Sequence, residues 1–178
     1  LVGTKSFDEV IQKVLKYSRG KKFKAILGRG WDQNDWTDKV FPNKVILDQL
    51  FPNIPVALRR IDGHALLVNQ KALDLAGIDQ TTSISGGTIV KEKGKLTGVL
   101  IDSPMKLINA ILPEPSIADK AQALKEAAEI GYENGLTTVS VAGLNKDDIY
   151  LIDSLHDNGE LEMRVYAMIS NTKENMQH

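Results

Sequence analysis

The chain has 178 residues, of which 42% are hydrophobic and 25% are charged, so it can bury a core as one domain or a domain with part of another. Its 22 lysines and arginines nearly balance 23 aspartates and glutamates, which argues against a nucleic-acid-binding protein. No apolar run approaches the roughly 20 residues that a membrane-spanning helix needs. The absence of cysteine excludes disulfides and thiolate metal sites, and the three histidines, His64, His156 and His178, are too few for a histidine-rich metal site.

The two ends of the sequence predict a piece of a longer protein. The chain begins at Leu1 without a methionine or a signal-peptide pattern, and it stops at His178 shortly after an apolar segment. We therefore expect an internal fragment, and a trimmed or processed small protein is the alternative. Because no signal or membrane segment is recognisable, a cytoplasmic location is expected.

Local signals predict helices and strands in a mixed order. Capping residues and terminal glycines or prolines bound the helices, and short β-branched or apolar runs indicate the strands. The predicted helices run from Ser6 to Gly20 and over residues 43–50, 70–76, 103–112, 116–134 and 145–157. The predicted strands cover residues 24–27, 55–61, 88–91, 95–100, 137–141 and 163–169.

Two strand pairings follow from these elements. The turn Glu92-Lys93-Gly94 predicts an antiparallel hairpin, because glycine readily adopts the positive φ that such a turn requires. The strand, helix and strand over residues 137–169 form a βαβ unit, whose two strands should be parallel. One such unit cannot cover both faces of its own sheet, which suggests that further strands of a barrel or sheet complete it.

The densest group of chemically capable residues is Arg59-Arg60-Ile61-Asp62-Gly63-His64, at the end of an apolar strand. An arginine, an aspartate and a histidine in this spacing could orient a polar substrate, with His64 exchanging a proton near neutral pH. The alternative is a hairpin turn in which Asp62 caps backbone amides and His64 is an ordinary polar residue. The spacing alone favours the turn.

Both tryptophans, Trp31 and Trp36, lie in one short segment beside Asp32 and Asp35. Two indoles next to carboxylates could form the wall of a ligand pocket. The alternative, which is more common for tryptophan, is that both side chains fill the core and leave one polar edge exposed.

A series of short motifs occurs in a fixed order along nearly the whole chain. They are Gly30-Trp31-Asp32 with Trp36, Leu47-Asp48, Pro55-Val56, Arg60-x-Asp62-Gly63-His64 with Asn69, Ala72-Leu73, Ala76-Gly77-Ile78, Gly86-Gly87-Thr88-Ile89, Gly94-x-x-Thr97-Gly98-Val99-Leu100-x-Asp102, Gly135-Leu136-Thr137-Thr138-Val139 and Leu161-x-Met163-Arg164-Val165-Tyr166. In this order they resemble the YtcJ-like amidohydrolases, which form amidohydrolase family 3 and include the N-substituted formamide deformylases. No single motif is decisive, but the ordered set is specific.

The resemblance implies a metal-dependent hydrolase built on a (β/α)8 TIM barrel. In that family the metal ligands are a His-x-His pair on the first barrel strand, a carboxylate or modified lysine, further histidines and an aspartate, and none of these falls on this chain. The expected fold class is α/β. The resemblance assigns residues 1–135 to an α+β insertion subdomain with a mixed sheet and flanking helices, and residues 136–178 to a βαβ piece of the barrel.

The resemblance also implies a function for the parent protein, namely hydrolysis of C–N bonds other than peptide bonds by a metal-activated water. A divalent metal, zinc by expectation, belongs to the parent, and this chain should hold no metal, no cofactor and no catalytic residue. The chain alone is therefore expected to be inactive. Its expected partners are the remainder of the barrel and a small-molecule substrate, with no nucleic acid and no membrane.

One motif departs from the family pattern. The family usually has His-Asp-Ala-Gly after Gly-x-Thr-Thr-Val, whereas this chain has Ser140-Val141-Ala142-Gly143. Active sites of barrel enzymes gather at the ends of such strands. The departure motivates the alternative that the parent is a non-catalytic ligand-binding or regulatory domain derived from the same fold.

The resemblance also favours a functional role for Arg60, Asp62 and His64, because the insertion subdomain borders the active-site mouth. The predicted substrate-binding residues are His64, Asp62 and Arg60, with Trp31 as a pocket wall.

Overall fold

The computed structural model of the chain describes residues 1–176, so His178 lies outside the described residues. The chain forms two compact units, Leu1–Pro113 and Glu114–His178. No helix within residues 1–176 is long and apolar enough to cross a membrane.

Every helix and strand predicted from the sequence has a counterpart, with ends that differ by a few residues. The helices are α1 (Phe7–Ser18), α2 (Val45–Leu50), α3 (Gln70–Leu75), α4 (Met105–Asn109), α5 (Ile117–Glu133) and α6 (Lys146–Asp157). The strands are β1 (Ile26–Trp31), β2 (Val56–Arg60), β3 (Ala65–Val68), β4 (Gly87–Glu92), β5 (Lys95–Asp102), β6 (Thr138–Leu144) and β7 (Arg164–Ile169). Two elements were not predicted from the sequence patterns, namely strand β3 and a short 3-10 helix at Gln33–Asp35.

The first unit contains a five-stranded mixed sheet in the order β1-β2-β3-β5-β4. Strands β1 and β2 are parallel, and the other neighbours are antiparallel. The predicted mixed sheet and the predicted hairpin of β4 and β5 are both confirmed. Gly94, in the turn of that hairpin, has a φ of 79°.

Helices cover both faces of this sheet. Alternate residues of the central strands point to opposite faces, so Leu58 and Leu67 join one core cluster, whereas Leu66 and Leu100 join another. Helices α1 and α2 contribute to the first cluster, and α3 and α4 contribute to the second. The first unit therefore has a closed, two-layered core.

The second unit is a βαβ arrangement preceded by a long helix. Strands β6 and β7 are parallel, with Thr138 opposite Arg164 and Leu144 opposite Ile169, as the sequence predicted. Helices α5 and α6 pack on one face through a small cluster that includes Ala128, Ile152 and Met163. On the other face the side chains point into solvent, so the apolar run at residues 137–141 is not a buried strand in this chain, because no element of the second unit within residues 114–176 covers that face.

Helix α5 belongs to the second unit, although the predicted division placed residues 1–135 in one domain. The physical reason is its packing: Ala128 shares a core cluster with Met163, and Gly131 approaches Met163 so closely that an added Cβ would lie 2.7 Å from the methionine Cε. The predicted boundary after residue 135 in the parent protein stays a prediction.

The spacing of Ser6 and Glu9 at the start of α1 is that of a capping box, but only one of its two hydrogen bonds forms. The Ser6 side chain accepts a hydrogen bond from Glu9 N, but the Glu9 carboxylate accepts one from Lys5 N at 2.8 Å and not from Ser6 N. At the start of α5 both bonds form, since Ser116 and Asp119 cap each other's backbone amides. One of the four free amides is thereby satisfied at the start of α1, and two are satisfied at the start of α5.

Candidate functional site

The predicted site lies in the turn that joins β2 to β3. Gly63 has a φ of 82°, and its amide donates to Arg60 O at 3.0 Å, which closes a tight turn. The Asp62 side chain accepts a hydrogen bond from His64 N at 3.0 Å. The turn in which Asp62 caps a backbone amide is therefore present, and this turn holds the polar residues in a defined geometry.

Arg60 and Asp62 form a two-point ion pair on this turn. Arg60 Nε donates to Asp62 Oδ1 at 3.0 Å, and Arg60 Nη2 contacts Asp62 Oδ2. The hydrogen bond from Arg60 lowers the pKa of Asp62 to about 2, and the same bond raises the pKa of Arg60. Both groups stay charged at neutral pH, as expected for a bidentate arginine–carboxylate pair.

His64 is held by a different carboxylate. Its Nδ1 lies 2.8 Å from Asp102 Oδ1, and its ring is largely exposed, with 72% of the side chain accessible. The hydrogen bond and charge of Asp102 raise the pKa of His64 above its ordinary value. With Nδ1–H donated to the carboxylate, Nε2 has no hydrogen-bond partner among residues 1–176 and can exchange a proton with a bound molecule.

Asp102 is the site residue that sequence reasoning missed. Strand β3 pairs with β5 so that Ala65 lies opposite Ile101, and Asp102 N donates to His64 O at 3.1 Å. The sheet register thus brings together two residues that are 38 positions apart in sequence. The available signal was the position of Asp102 at the end of the motif Thr97-Gly98-Val99-Leu100-x-Asp102.

Trp31 lies in the core rather than on an open surface. It is 1% exposed, and its Nε1 donates to Leu58 O at 2.7 Å. Its ring packs against Trp36 with a centroid separation of 5.9 Å. The core interpretation of Trp31 fits this packing, and a contact between Trp31 and a substrate stays a prediction.

A sequence profile of the amidohydrolase family matches residues 2–178. The chain belongs to the amidohydrolase family. Two curated relatives are similar over part of their length. The chain is 39% identical over 116 residues to the Arabidopsis thaliana protein LONG AFTER FAR-RED 3, which covers 64% of this chain and 20% of that protein. It is 40% identical over 114 residues to the putative amidohydrolase YtcJ of Bacillus subtilis (strain 168), which covers 63% of this chain and 22% of that protein.

The matched segments therefore span about a fifth of the length of these amidohydrolase relatives. Two solved structures share the fold, and both are described as uncharacterized metal-dependent hydrolases, from Pyrococcus horikoshii OT3 and Pyrococcus furiosus. Their TM-scores are 0.60 and 0.58, at 24% sequence identity. Each alignment covers 95% of this chain, and the two alignments cover 32% and 33% of the solved chains. The similarity to these structures concerns the fold.

The described residues of this amidohydrolase chain do not fit the metal that the family resemblance implies. Within residues 1–176 no three histidine, aspartate or glutamate side chains lie close enough together to hold a metal ion. His64 and His156 belong to different units, and His156 Nε2 is within 2.9 Å of Met163 O, which ties α6 to the start of β7. The third histidine, His178, lies outside the described residues.

The segment that departs from the family pattern lies on β6. Ser140 is exposed on the uncovered face of the two-stranded sheet, whereas Val141 is turned toward the side chains of Val139 and Leu144 and of α5 and α6. Of the pair that replaces His-Asp, Ser140 is thus the residue on the uncovered face.

Proposed function

We propose that this chain is part of a longer amidohydrolase that hydrolyses C–N bonds other than peptide bonds. The observation that carries the proposal is the family match, which extends over residues 2–178. A metal held by residues outside this chain would supply Lewis-acid activation of the attacking water. In that protein residues 1–135 correspond to an insertion at the active-site mouth, and residues 136–178 correspond to two strands of the barrel and the helix between them.

The polar turn supplies the residues that we assign to the substrate. His64 presents an exposed ring with Nε2 free, and Asp102 fixes the orientation of the ring through Nδ1. Arg60 and Asp62 add a rigid, charged pair beside it, because each holds the other in place. An exposed imidazole with a fixed orientation can donate to or accept from a polar substrate group. Trp31 lies behind this turn, since its carbonyl accepts from Ile61 N at 3.0 Å.

A second candidate function is a non-catalytic ligand-binding or regulatory domain. The observation that favours it is Ser140-Val141, which takes the place of His-Asp at the end of a strand. The valine side chain has no polar atom and the serine side chain has only a hydroxyl, so the pair lacks the imidazole and the carboxylate of the family motif.

The two functions are separated by an assay of the full-length protein. The protein is loaded with zinc, and release of amine or ammonia is measured from a panel of linear amides, cyclic amides and formamides. The amidohydrolase proposal predicts hydrolysis of at least one class, loss of activity after chelation and recovery after zinc is added back. Saturable binding of panel compounds without hydrolysis would establish the binding function instead.

The role of His64 is tested in the same protein with His64→Asn and His64→Ala. A substrate contact predicts a lower kcat/KM for both variants with little change in melting temperature. His156→Asn is the matched control, because His156 lies in the other unit and bonds a backbone carbonyl. Wild-type kcat/KM in His64→Ala together with a lower melting temperature would show that His64 only holds the turn.

The isolated chain provides a separate test. Because tight zinc sites need three or four well-placed ligands, we expect no stoichiometric zinc and no hydrolysis from residues 1–178 alone. Elemental analysis after extensive dialysis measures the metal content. One equivalent of zinc per chain would contradict the assignment of the metal ligands to other parts of the protein.

A further inference from the structure

The indole nitrogen of Trp36 lacks a hydrogen-bond partner. Within residues 1–176 it is the one buried side-chain nitrogen or oxygen without a partner, and the residue is 5% exposed. The neighbouring Trp31 shows the ordinary situation, because its Nε1 donates to Leu58 O. Native proteins satisfy nearly all buried polar groups, so an unpaired donor of this kind requires an explanation.

Trp36 also lines a cavity of about 330 Å³ between the start of α1 and the segment that follows Trp36. This volume is near the lower end of the range for small-molecule sites. The cavity has aromatic walls, since the rings of Phe7 and Trp36 lie 6.0 Å apart. The lining residues that matter here are Ser6, Phe7, Trp36, Asp38, Phe41 and Pro42.

The cavity borders the polar turn described above. Phe41 lines the cavity, and the guanidinium carbon of Arg60 lies 5.8 Å from the centroid of the Phe41 ring. Arg60 in turn bonds Asp62. A molecule in the cavity would therefore lie next to the residues that we assign to the substrate.

The segment over residues 37–43 is weakly held, so an entering molecule can displace it. In the part of the chain that the structure describes, this segment makes no backbone–backbone hydrogen bond, and Val40 is 63% exposed. Segments with few hydrogen bonds and exposed apolar side chains open at low free-energy cost. Trp36 Nε1 is itself shielded from solvent, so a molecule can bond it only if the surrounding residues move.

We propose that this cavity binds a small molecule in which an aromatic group is joined to a carbonyl oxygen. The aromatic group would pack against Phe7, Trp36 and Phe41, and the oxygen would accept a hydrogen bond from Trp36 Nε1. An aryl amide has this chemistry. The identification of the molecule as the amide substrate rests on the proposed function, whereas the binding itself does not.

The test uses nuclear magnetic resonance on the 178-residue chain, which has two tryptophans and therefore two indole N–H signals. Benzamide is the probe, and toluene is the matched compound that has the ring without the carbonyl. We expect benzamide to move the Trp36 signal downfield in a saturable manner and to move the Trp31 signal much less, because Trp31 Nε1 is already bonded to Leu58 O. Toluene should produce no downfield shift of the Trp36 signal.

Two variants test the assignment independently of the signal itself. Trp36→Phe identifies the signal and should weaken benzamide binding about tenfold, measured on the backbone amides of Ser6 and Asp38. If that core variant does not fold, Phe41→Ala serves instead, since Phe41 is 37% exposed and should tolerate truncation. Tyr17→Ala is the control at another exposed aromatic residue and should leave binding unchanged.

Equal shifts of both indole signals, or a toluene effect equal to that of benzamide, would overturn the inference, as would the absence of any saturable shift. Binding of benzamide by the chain, combined with no amide hydrolysis by the zinc-loaded full-length protein, would remove the proposed function and leave this site standing. Hydrolysis by the full-length protein without any effect of benzamide on the Trp36 signal would support the proposed function and overturn the inference about the cavity.

Discussion

The two compact units of this chain differ in how their sheets are covered. In the first unit five strands have helices on both faces, and core residues such as Leu58, Leu67 and Leu100 are fully buried. In the second unit two parallel strands have helices on one face only, and Tyr166 and Met168 on the other strand face are 65% and 42% exposed. The same chain thus contains a closed core and a half-covered one.

The difference shows what each unit requires. In the first unit, helices of the unit itself cover both faces of the mixed sheet. A parallel pair is ordinarily covered on both faces, since its hydrogen bonding gives little stability when solvent reaches it. We interpret the uncovered face of β6 and β7 as a surface that other strands of a longer protein would adjoin.

The largest expected effect lies in the closed core. Leu67→Ala removes a fully buried side chain at the centre of the sheet and should lower the free energy of unfolding of the first unit by about 2–5 kcal/mol. Urea unfolding followed by tryptophan fluorescence measures this unit specifically, because both tryptophans lie within Leu1–Pro113.

Leu27→Ala is the matched control for that measurement. Leu27 lies on the edge strand of the same sheet and is 48% exposed, so its truncation should cost much less. Equal losses for the two variants would mean that the first unit does not have the closed core described here.

The second-largest effect is expected for Asn69, whose side chain bonds four backbone groups inside the first unit. Asn69 is fully buried, and its Oδ1 accepts from Val56 N at 3.0 Å and from Ala72 N at 3.1 Å. Its Nδ2 donates to the carbonyls of Phe51 and Ile54. Asn69→Ala leaves these groups unpaired and should cost about 1–3 kcal/mol. Asn69→Asp keeps the acceptor and loses both donors, so retention of wild-type stability in Asn69→Asp would show that the donor bonds contribute nothing.

The local features of this fold were predictable from sequence, and the long-range ones were not. Asn69 as a helix cap and Gly94 as a hairpin turn depend on a few adjacent residues. Strand β3 was missed because its residues 65–68 are all buried, so the alternation that marks a half-buried strand is absent.

The candidate site likewise combines local contacts, which were predictable from sequence, with long-range contacts, which were not. Arg60, Asp62 and His64 are close in sequence, and their mutual contacts follow from one turn. Asp102 reaches His64 only through the register of β3 and β5, which no local pattern specifies. The cavity beside Trp36 likewise depends on how the start of α1 packs against a distant segment.

A smaller effect is expected on the uncovered face of the second unit. Tyr166→Thr keeps a residue that suits a strand and removes a ring that is 65% exposed, so it should change stability by about 0.5 kcal/mol or less in this chain. Hydrogen exchange of the β6 and β7 amides is the measurement. Leu155→Ala on the covered face is the comparison, because Leu155 is 5% exposed and its truncation should speed exchange markedly. A large loss in Tyr166→Thr would mean that this face is already covered.

The smallest expected effect is the pH dependence of the polar turn. Because Asp102 raises the pKa of His64, the pair stabilises the folded first unit fully below pH 6.5, the ordinary pKa of histidine, and this contribution is lost as the pH rises through the raised value. Asp102→Asn should therefore return the pKa of His64 toward 6.5, as followed by the ring proton signals in a titration. Asp79→Asn is the control, since Asp79 bonds Thr81 and Thr82 and should leave the pKa of His64 where it is. An unchanged pKa of His64 in Asp102→Asn would show that the two side chains do not interact in solution, and the fixed orientation of the imidazole would then have to come from another group.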